Sequence, residues 1–255
     1  MKSDSKTSEV RAIEGRSLNA WPALHEQIYD GWLLRFSNGY TRRSNSINPI
    51  YPGERGIYEK VLHCERSYSD RGLPTVFKLT PLADPEDLDS LLDSRGYNRV
   101  VGTSVQVLSL EELEIPEFGT VMFRQNIDED RLWEYARLKG MDEAETTVFE
   151  RMMSQVPAPV QYVSLLDEQE PVAMGVAVQE GEYSGLFGGL VTDRTKRQQG
   201  FGTRLVWAIL DEAKTSRAKK AYLQVEVTND PALRLYIRLG FEELYRYWYR
   251  VKERN

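Results

Sequence analysis

The residues best placed to do chemistry lie in one run, Leu190-Val191-Thr192-Asp193-Arg194-Thr195-Lys196-Arg197-Gln198-Gln199-Gly200-Phe201-Gly202-Thr203. The run reads as a strand, a basic turn, and Arg-x-x-Gly-x-Gly opening an amphipathic helix that buries Leu205, Ile209 and Ala213. Glycine lets the backbone approach a ligand and adopt positive φ. The first turn of a helix exposes unpaired N–H groups, and the helix dipole favours an anion there. Together these features suit a phosphate or pyrophosphate. Arg194, Lys196 and Arg197 add positive charge beside them. The segment is not Gly-x-Gly-x-x-Gly, because position 205 is leucine, and it lacks the Gly-Lys-Ser/Thr of a P-loop. A solvated basic strand-to-helix turn is the plain alternative.

A second segment follows at a fixed distance. It contains Asn229, Ala232, Leu235, Tyr236, Leu239, Gly240 and Phe241, in the pattern Asn-x-x-Ala-x-x-Leu-Tyr-x-x-Leu-Gly-Phe. With the first segment, it makes residues Gly189 to Arg250 resemble the GNAT superfamily of N-acetyltransferases. In that family, Arg/Gln-x-x-Gly-x-Gly/Ala cradles the pyrophosphate of acetyl-CoA, matched here by Arg197, Gly200 and Gly202. One departure is Arg194, where relatives often carry proline. The resemblance implies acetyl-CoA as co-substrate and no metal. It implies a cofactor site at Leu190, Val191, Thr192, Arg197, Gln198, Gln199, Gly200, Phe201, Gly202, Thr203, Asn229 and Tyr236.

The implied reaction is acetyl transfer to a primary amine. An alkylammonium has no lone pair, so a base must take a proton, and the departing thiolate needs a proton or a hydrogen bond. Tyr236 is the candidate acid, because a phenol near pKa ~10 can serve a thiol near ~8.5; the family often places a tyrosine there. Its neighbours Leu235 and Leu239 equally suit a packing role. Glu226, on the strand before Asn229, is the candidate base, with Gln224 on the same face by strand alternation. Several relatives hold a carboxylate at the position of Gln224. Glu226 as a solvated residue or a partner of Arg234, and deprotonation through water near Glu182 or Tyr183, remain open. The family also uses backbone N–H groups of the strand Leu190 to Thr192 to hold the pantetheine and polarise the thioester. Asn229 either touches the cofactor or only caps its helix.

Positioning these groups requires an α/β fold of the α+β type. The resemblance implies a GNAT fold, with a mixed, splayed central sheet flanked by helices. A smaller, degenerate GNAT-like half would precede it. The boundaries fall at 10–115 and 118–255, separated by the acidic, proline-bearing stretch Glu111 to Phe118. In the first half, a hairpin is expected from Asp30 to Pro49, turning at Ser37-Asn38-Gly39. A helix from Glu54 to Ser69, a strand at Thr75 to Leu79, a helix at Asp84 to Ser94 and a strand at Val100 to Leu110 follow. In the second half, strands are expected at Thr120–Gln125, Val160–Leu166, Val172–Gln179, Tyr183–Thr192, Ala221–Val227 and Phe241–Val251. Helices are expected at Asp130–Lys139, Glu143–Ser154, Gly202–Ser216 and Pro231–Leu239. Met1 to Glu9 reads as a loose polar tail. The unit Leu88 to Tyr97 recurs as Ala232 to Phe241, and Gly56 precedes Phe77 by the interval at which Gly202 precedes Leu223. This reads as an internal duplication, of the kind seen in tandem members such as mycothiol synthase-like enzymes. The first copy lacks the glycine loop, and Leu92 stands where Tyr236 stands in the second.

Composition narrows the setting. The chain has 255 residues, 41% hydrophobic and 28% charged, as in a folded soluble protein. A net charge of −6 gives no general attraction to nucleic acid or anionic membrane. One cysteine, Cys64, and two histidines, His25 and His63, exclude an intrachain disulfide and are too few for a structural zinc site. Cytoplasmic residence and a small-molecule amine as partner are expected, with monomer or homodimer open. Acetylation of protein N-termini or lysines, and a non-catalytic acyl-CoA-binding module, are the rival readings. Tyr245 to Arg250 alternates aromatic and basic residues, as a nucleic-acid platform does, but fits an ordinary packed strand better. Thr41 to Ser46 either lines a cleft between the halves or forms a polar strand edge. Cys64 reads as a packing residue.

Overall fold

A computed structural model describes residues 2–125, 127–168, 170–196 and 198–253, with the side chains of 2–4, 101 and 189–191 left aside. The chain opens not with a tail but with a helix, α1 (Lys2–Ala20). Val10, Ile13, Glu14, Ser17 and Ala20 recur at helical spacing and are all buried. Strands β1 (His25–Tyr29) and β2 (Trp32–Phe36) form a hairpin around Asp30-Gly31. The expected hairpin partner of β2 is present but short: β3 (Ile47–Pro49) pairs with it after a loop containing a 3-10 turn at Arg42–Ser44. Then come α2 (Ile57–Ser69), β4 (Thr75–Leu79), α3 (Leu88–Ser94) and β5 (Asn98–Ser109).

The second half contains β6 (Val121–Arg124), α4 (Glu129–Lys139), α5 (Glu143–Met153), β7 (Val160–Asp167), β8 (Glu170–Glu180) and β9 (Tyr183–Thr192). It continues with a 3-10 turn at Arg194–Lys196, α6 (Phe201–Thr215), β10 (Lys220–Glu226), α7 (Asp230–Arg238) and β11 (Glu242–Lys252). These agree with the expected elements to within a few residues.

All eleven strands join one mixed sheet, in the order β1-β2-β3-β4-β11-β5-β10-β9-β8-β7-β6. The order interleaves the two halves of the sequence. The last strand of the chain, β11, lies antiparallel between β4 and β5, and β5 pairs antiparallel with β10. Thus α2-β4-α3-β5 and α6-β10-α7-β11 repeat one element order, and each ends on a strand bordering the other.

Burial of apolar residues places the helices on both faces. Helices α1, α4 and α5 cover one face through Ile13, Tyr135 and Phe149, packed against Val176, Phe187, Tyr222, Tyr245, Tyr247 and Tyr249. Helices α6 and α7 cover the other face over the C-terminal strands, with Leu205, Ile209 and Leu239 against Val163, Leu186 and Leu223. Helices α2 and α3 cover it over the N-terminal strands, where Cys64 is buried and burial pushes its thiol up to about 12. Among the described residues, no helix is long and apolar enough to cross a membrane.

Candidate active site

Strands β9 and β10 are parallel neighbours for only part of their length. Their pairing runs from Tyr183 with Lys220 to Leu186 with Leu223 and then stops. Both strands continue, β9 paired with β8 as far as Thr192 and β10 paired with β5 as far as Glu226. The sheet is therefore open between them, and the β9 backbone from Phe187 to Thr192 has no partner strand on that side. A bulge between Met174 and Val176 of β8 places the extra residues Gly188 to Leu190 on β9 at this opening. Gly188 has φ +80, and a Cβ on it would lie 2.4 Å from the Tyr135 Oη. The Tyr135 hydroxyl and the Lys139 Nζ (2.6 Å) both donate to the Gly188 carbonyl oxygen, fixing the bulge to α4.

On the α6 face of the opening lies the glycine turn. Gly200 is the N-cap of α6 at φ +81, a conformation glycine adopts without strain, and Gln198 also takes positive φ. The first intrahelical bond runs from Arg204 N to Gly200 O, so the N–H groups of Phe201, Gly202 and Thr203 have no helical partner. Among the described residues no side chain caps them, and no acidic residue stands in the first turn. By contrast, Asp128, Asp142 and Asn229 cap α4, α5 and α7 through their side-chain oxygens. Donors left free and unopposed by negative charge fit a pyrophosphate. Gln198, Gln199 and Gly200 are exposed, Gly202 and Thr203 are partly buried, and Thr192 faces Gly202. The Phe201 ring instead packs into the core beside Leu205, leaving only its backbone for a ligand. Arg197 lies outside the described residues, as do the side chains of Leu190 and Val191. Lys196 is paired with Asp167 at 2.8 Å, so its charge is engaged locally, while Arg137 approaches Asp193 at 3.7 Å.

Tyr236 sits on α7 on this same face, nearly buried, its ring 5.8 Å edge-on from Phe241. Burial raises its phenol to about 12, which keeps it protonated. Asn229 caps α7 by accepting from Ala232 N at 3.3 Å.

Across the sheet, on the α1 and α4 face, a cavity of about 330 Å3 meets the opening. It is lined by Gly188 of β9, Gln224 and Glu226 of β10, Thr103 of β5, and Tyr247 and Tyr249 of β11. Lys139 of α4, Trp21 after α1, and Thr41, Arg42 and Arg43 complete the wall. Glu226 is exposed at the end of β10. Gln224 shares its face, as alternation requires, but is fully engaged: its amide donates to Ser17 Oγ at 2.8 Å and its oxygen accepts from the Tyr247 hydroxyl at 2.9 Å. Glu182 and Tyr183 stand at the far end of β9, some five residues or about 16 Å from Gly188, and Glu182 is paired with Lys219. They are too far away to serve the opening.

The cavity wall is electrostatically unusual. Burial, and then Arg43, push the Lys139 amine down to about 8. Burial would raise the Tyr247 phenol, yet Arg43, Lys78 and a Thr103 hydrogen bond hold it below its ordinary value. Thr41 is a β-branched residue at φ 57, a strained backbone that a packed wall must hold in place. Its hydroxyl accepts from Trp21 Nε1 at 3.2 Å.

Thr41 to Arg43 thus line a cleft between the halves, while Tyr245, Tyr247 and Tyr249 are buried strand residues facing α1. Arg43, Lys139, Tyr247 and Trp21 were not legible as a group, because they come from four separated stretches of sequence.

The comparisons with known proteins agree with this geometry. Residues 7–250 match the family model described as "Probable histone acetyltransferase Rv0428c C-terminal". The chain is 26% identical over 249 residues to "Uncharacterized N-acetyltransferase YobR" of Bacillus subtilis (strain 168), covering 96% of this chain and 99% of that one. It is similar in structure to a GCN5-related N-acetyltransferase from Kribbella flavida, with TM-score 0.70, 16% identity, and 96% and 95% of the two chains covered. It also resembles a "Tandem GNAT protein from the clavulanic acid biosynthesis pathway", with TM-score 0.64, 16% identity, and 78% and 70% covered. The open mixed sheet, the two sequence signatures and the family match over nearly the whole length lead to one conclusion: the chain belongs to the GNAT N-acetyltransferases, within the family of that model, and is an acyltransferase.

Proposed function

We propose that this enzyme transfers an acetyl group from acetyl-CoA to the primary amine of a small molecule. The observation that carries the reading is the parting of β9 and β10 beyond Leu186 and Leu223, with an uncapped helix terminus on one face and a walled cavity on the other. The N–H groups of Phe201, Gly202 and Thr203, with Gln198, Gln199, Gly200 and Arg197, would hold the pyrophosphate. The unpaired β9 backbone up to Thr192 would hold the pantetheine arm, with Asn229 and Tyr236 beside it. Acetyl-CoA supplies the activated acyl thioester. Glu226 takes a proton from the acceptor ammonium at its carboxylate, directly or through water. Tyr236 gives its hydroxyl proton, or a hydrogen bond, to the departing sulfur.

Residues 118–255 would carry this chemistry. Residues 10–115 would act as a degenerate second copy whose Thr41 to Arg43 segment closes the acceptor side. That closure supports a compact acceptor over a protein N-terminus or a lysine tail. A basic protein tail, of the kind a histone carries, would also have to enter beside Arg42, Arg43 and Lys139. Cytoplasmic residence fits a reaction on small metabolites.

The test is release of CoA thiol with a panel of primary amines, for wild type, Tyr236→Phe and Glu226→Gln. Loss of turnover by about a hundredfold to ten-thousandfold in both variants, with acetyl-CoA affinity kept, supports catalysis. Unchanged turnover in Tyr236→Phe removes Tyr236 from the mechanism. A folded protein that binds acetyl-CoA and acetylates no amine would leave the acyl-CoA-binding module instead.

A further inference from the structure

Arg43 lines the cavity with part of its donor fork unused: the Tyr247 hydroxyl is its side-chain partner, and other donors are left over. Its Nε is sealed from solvent and has no hydrogen-bond partner among the described residues. Native proteins rarely leave such a donor unpaired unless something else fills the place. The guanidinium carbon lies 5.8 Å from the Trp21 ring centroid and 6.0 Å from that of Phe187. Glu14, the carboxylate that acts on Arg43 through the interior, is already taken: it accepts from Lys78 Nζ at 2.6 Å and from the Tyr245 hydroxyl.

The same wall brings a second desolvated cation close. Lys139 Nζ lies 5.5 Å from the Trp21 ring centroid and donates to the Gly188 carbonyl, a neutral acceptor. Arg42 adds a third positive charge, and Glu226 is the one carboxylate among the lining residues. Two partly buried cations side by side, with only phenols facing Arg43, leave a place that an anion would fill.

We propose that the acceptor is an amino acid: its carboxylate is held by Arg43 and Lys139, and its amine is directed toward Glu226. The inference rests on the acetyltransferase reading above and names the substrate class of the same site. Arginine's planar fork suits a carboxylate, which can take two parallel N–H bonds from it. An amine lacking the carboxylate would leave both cations uncompensated and would meet a net positive wall. The aromatic surfaces of Trp21, Tyr247 and Tyr249 would contact the acceptor's side chain, and a volume of about 330 Å3 suits one compact molecule.

The experiment compares matched pairs of acceptors that differ only in the carboxylate. L-Leucine is set against isopentylamine, L-phenylalanine against 2-phenylethylamine, and β- and γ-amino acids against the corresponding alkylamines. Binding to the full-length protein without acetyl-CoA is read by calorimetry, and transfer by thiol release. The expected result is that at least one amino acid binds about tenfold to a hundredfold tighter than its partner amine. Arg43→Gln should abolish that preference, and Arg43→Lys should restore part of it. If Arg43→Gln does not fold, Lys139→Met gives the same reading. Equal or tighter binding of the plain amines overturns the inference and leaves the acetyltransferase reading intact. Binding of neither class at up to about 10 mM, well past the usual range for enzyme substrates, overturns it too. Acetyl-CoA binding is measured separately, so failure of the broader reading remains distinguishable.

Discussion

Replacing Lys78 with methionine tests how α1 is held, and with it one wall of the proposed acceptor cavity. Lys78 of β4 reaches Glu14 of α1 at 2.6 Å, and both side chains are almost wholly buried, 2% and 6% exposed. The Lys78 ammonium also sits 4.3 Å from the Tyr247 ring centroid. Lys78→Met leaves Glu14 buried with the Tyr245 hydroxyl as its remaining donor. Breaking one side of a buried ion pair costs about 3–5 kcal/mol, because the surviving charge stays desolvated. For a chain of this size, each kcal/mol lowers Tm by ~2–4 °C, so the variant should melt roughly 6–20 °C below wild type. The double variant Lys78→Met, Glu14→Gln keeps an acceptor for Tyr245 and removes the stranded charge. It should regain at least half of the loss. Thermal unfolding followed by circular dichroism reads both, and acetyl transfer should fall with the single variant because Trp21 lies one residue beyond α1. A single variant that melts within about 2 °C of wild type would refute the argument that α1 docks through this pair. So would a double variant no more stable than the single one.

Two further perturbations follow from the geometry at the opening. Gly188→Ala forces an L-residue into φ +80 and sets a Cβ 2.4 Å from the Tyr135 Oη; with ~1–2 kcal/mol for the backbone alone, it should lower Tm and cut transfer sharply, and a variant with wild-type Tm and rate would show that the bulge is not needed. Lys139 has its folded-state pKa lowered to about 8 by burial and by Arg43, below the ordinary lysine value in the unfolded chain. Its contribution therefore opposes folding fully below pH ~8, and the opposition lifts as pH rises toward ~10.4, a span worth up to about 3 kcal/mol. Urea unfolding should show wild type gaining stability relative to Lys139→Met across that window, and parallel pH curves would contradict it.

The elements of the α6 and α7 face were legible because their signals are local. The glycine turn and the Asn229 to Phe241 segment carry their pattern within a few residues, and strand alternation alone put Gln224 and Glu226 on one face. The packing of the Phe201 ring follows the same local logic: with Leu205 and Ile209 it completes the apolar stripe of α6, so its backbone N–H is what it offers a ligand. Helix α1 escaped notice because its inward stripe contains Glu14 and Ser17, whose partners Lys78 and Gln224 lie far along the chain. Hydropathy counts such residues as outward-facing. The placement of β11 between β4 and β5 was likewise invisible to local pattern, since strand order depends on pairings between distant segments. The cavity cations divide: Arg43 lay in the Thr41 to Ser46 stretch already offered as a cleft lining, whereas Lys139 carried no local signal until the sheet brought the two together.

The most direct test of the account is acetyl-CoA binding by calorimetry to wild type and to Gly202→Glu. At Gly202 a Cβ would meet only ordinary contacts, 3.7 Å from Thr192 Oγ1 and 3.9 Å from Leu235 Cδ2, so the variant should fold. Its carboxylate would stand among the free N–H groups of α6 and repel a pyrophosphate. Micromolar binding by wild type, abolished in a Gly202→Glu protein with unchanged circular dichroism, is the predicted result. Absence of binding by folded wild type, or equal binding by the variant, would contradict the assignment of the cofactor to this opening.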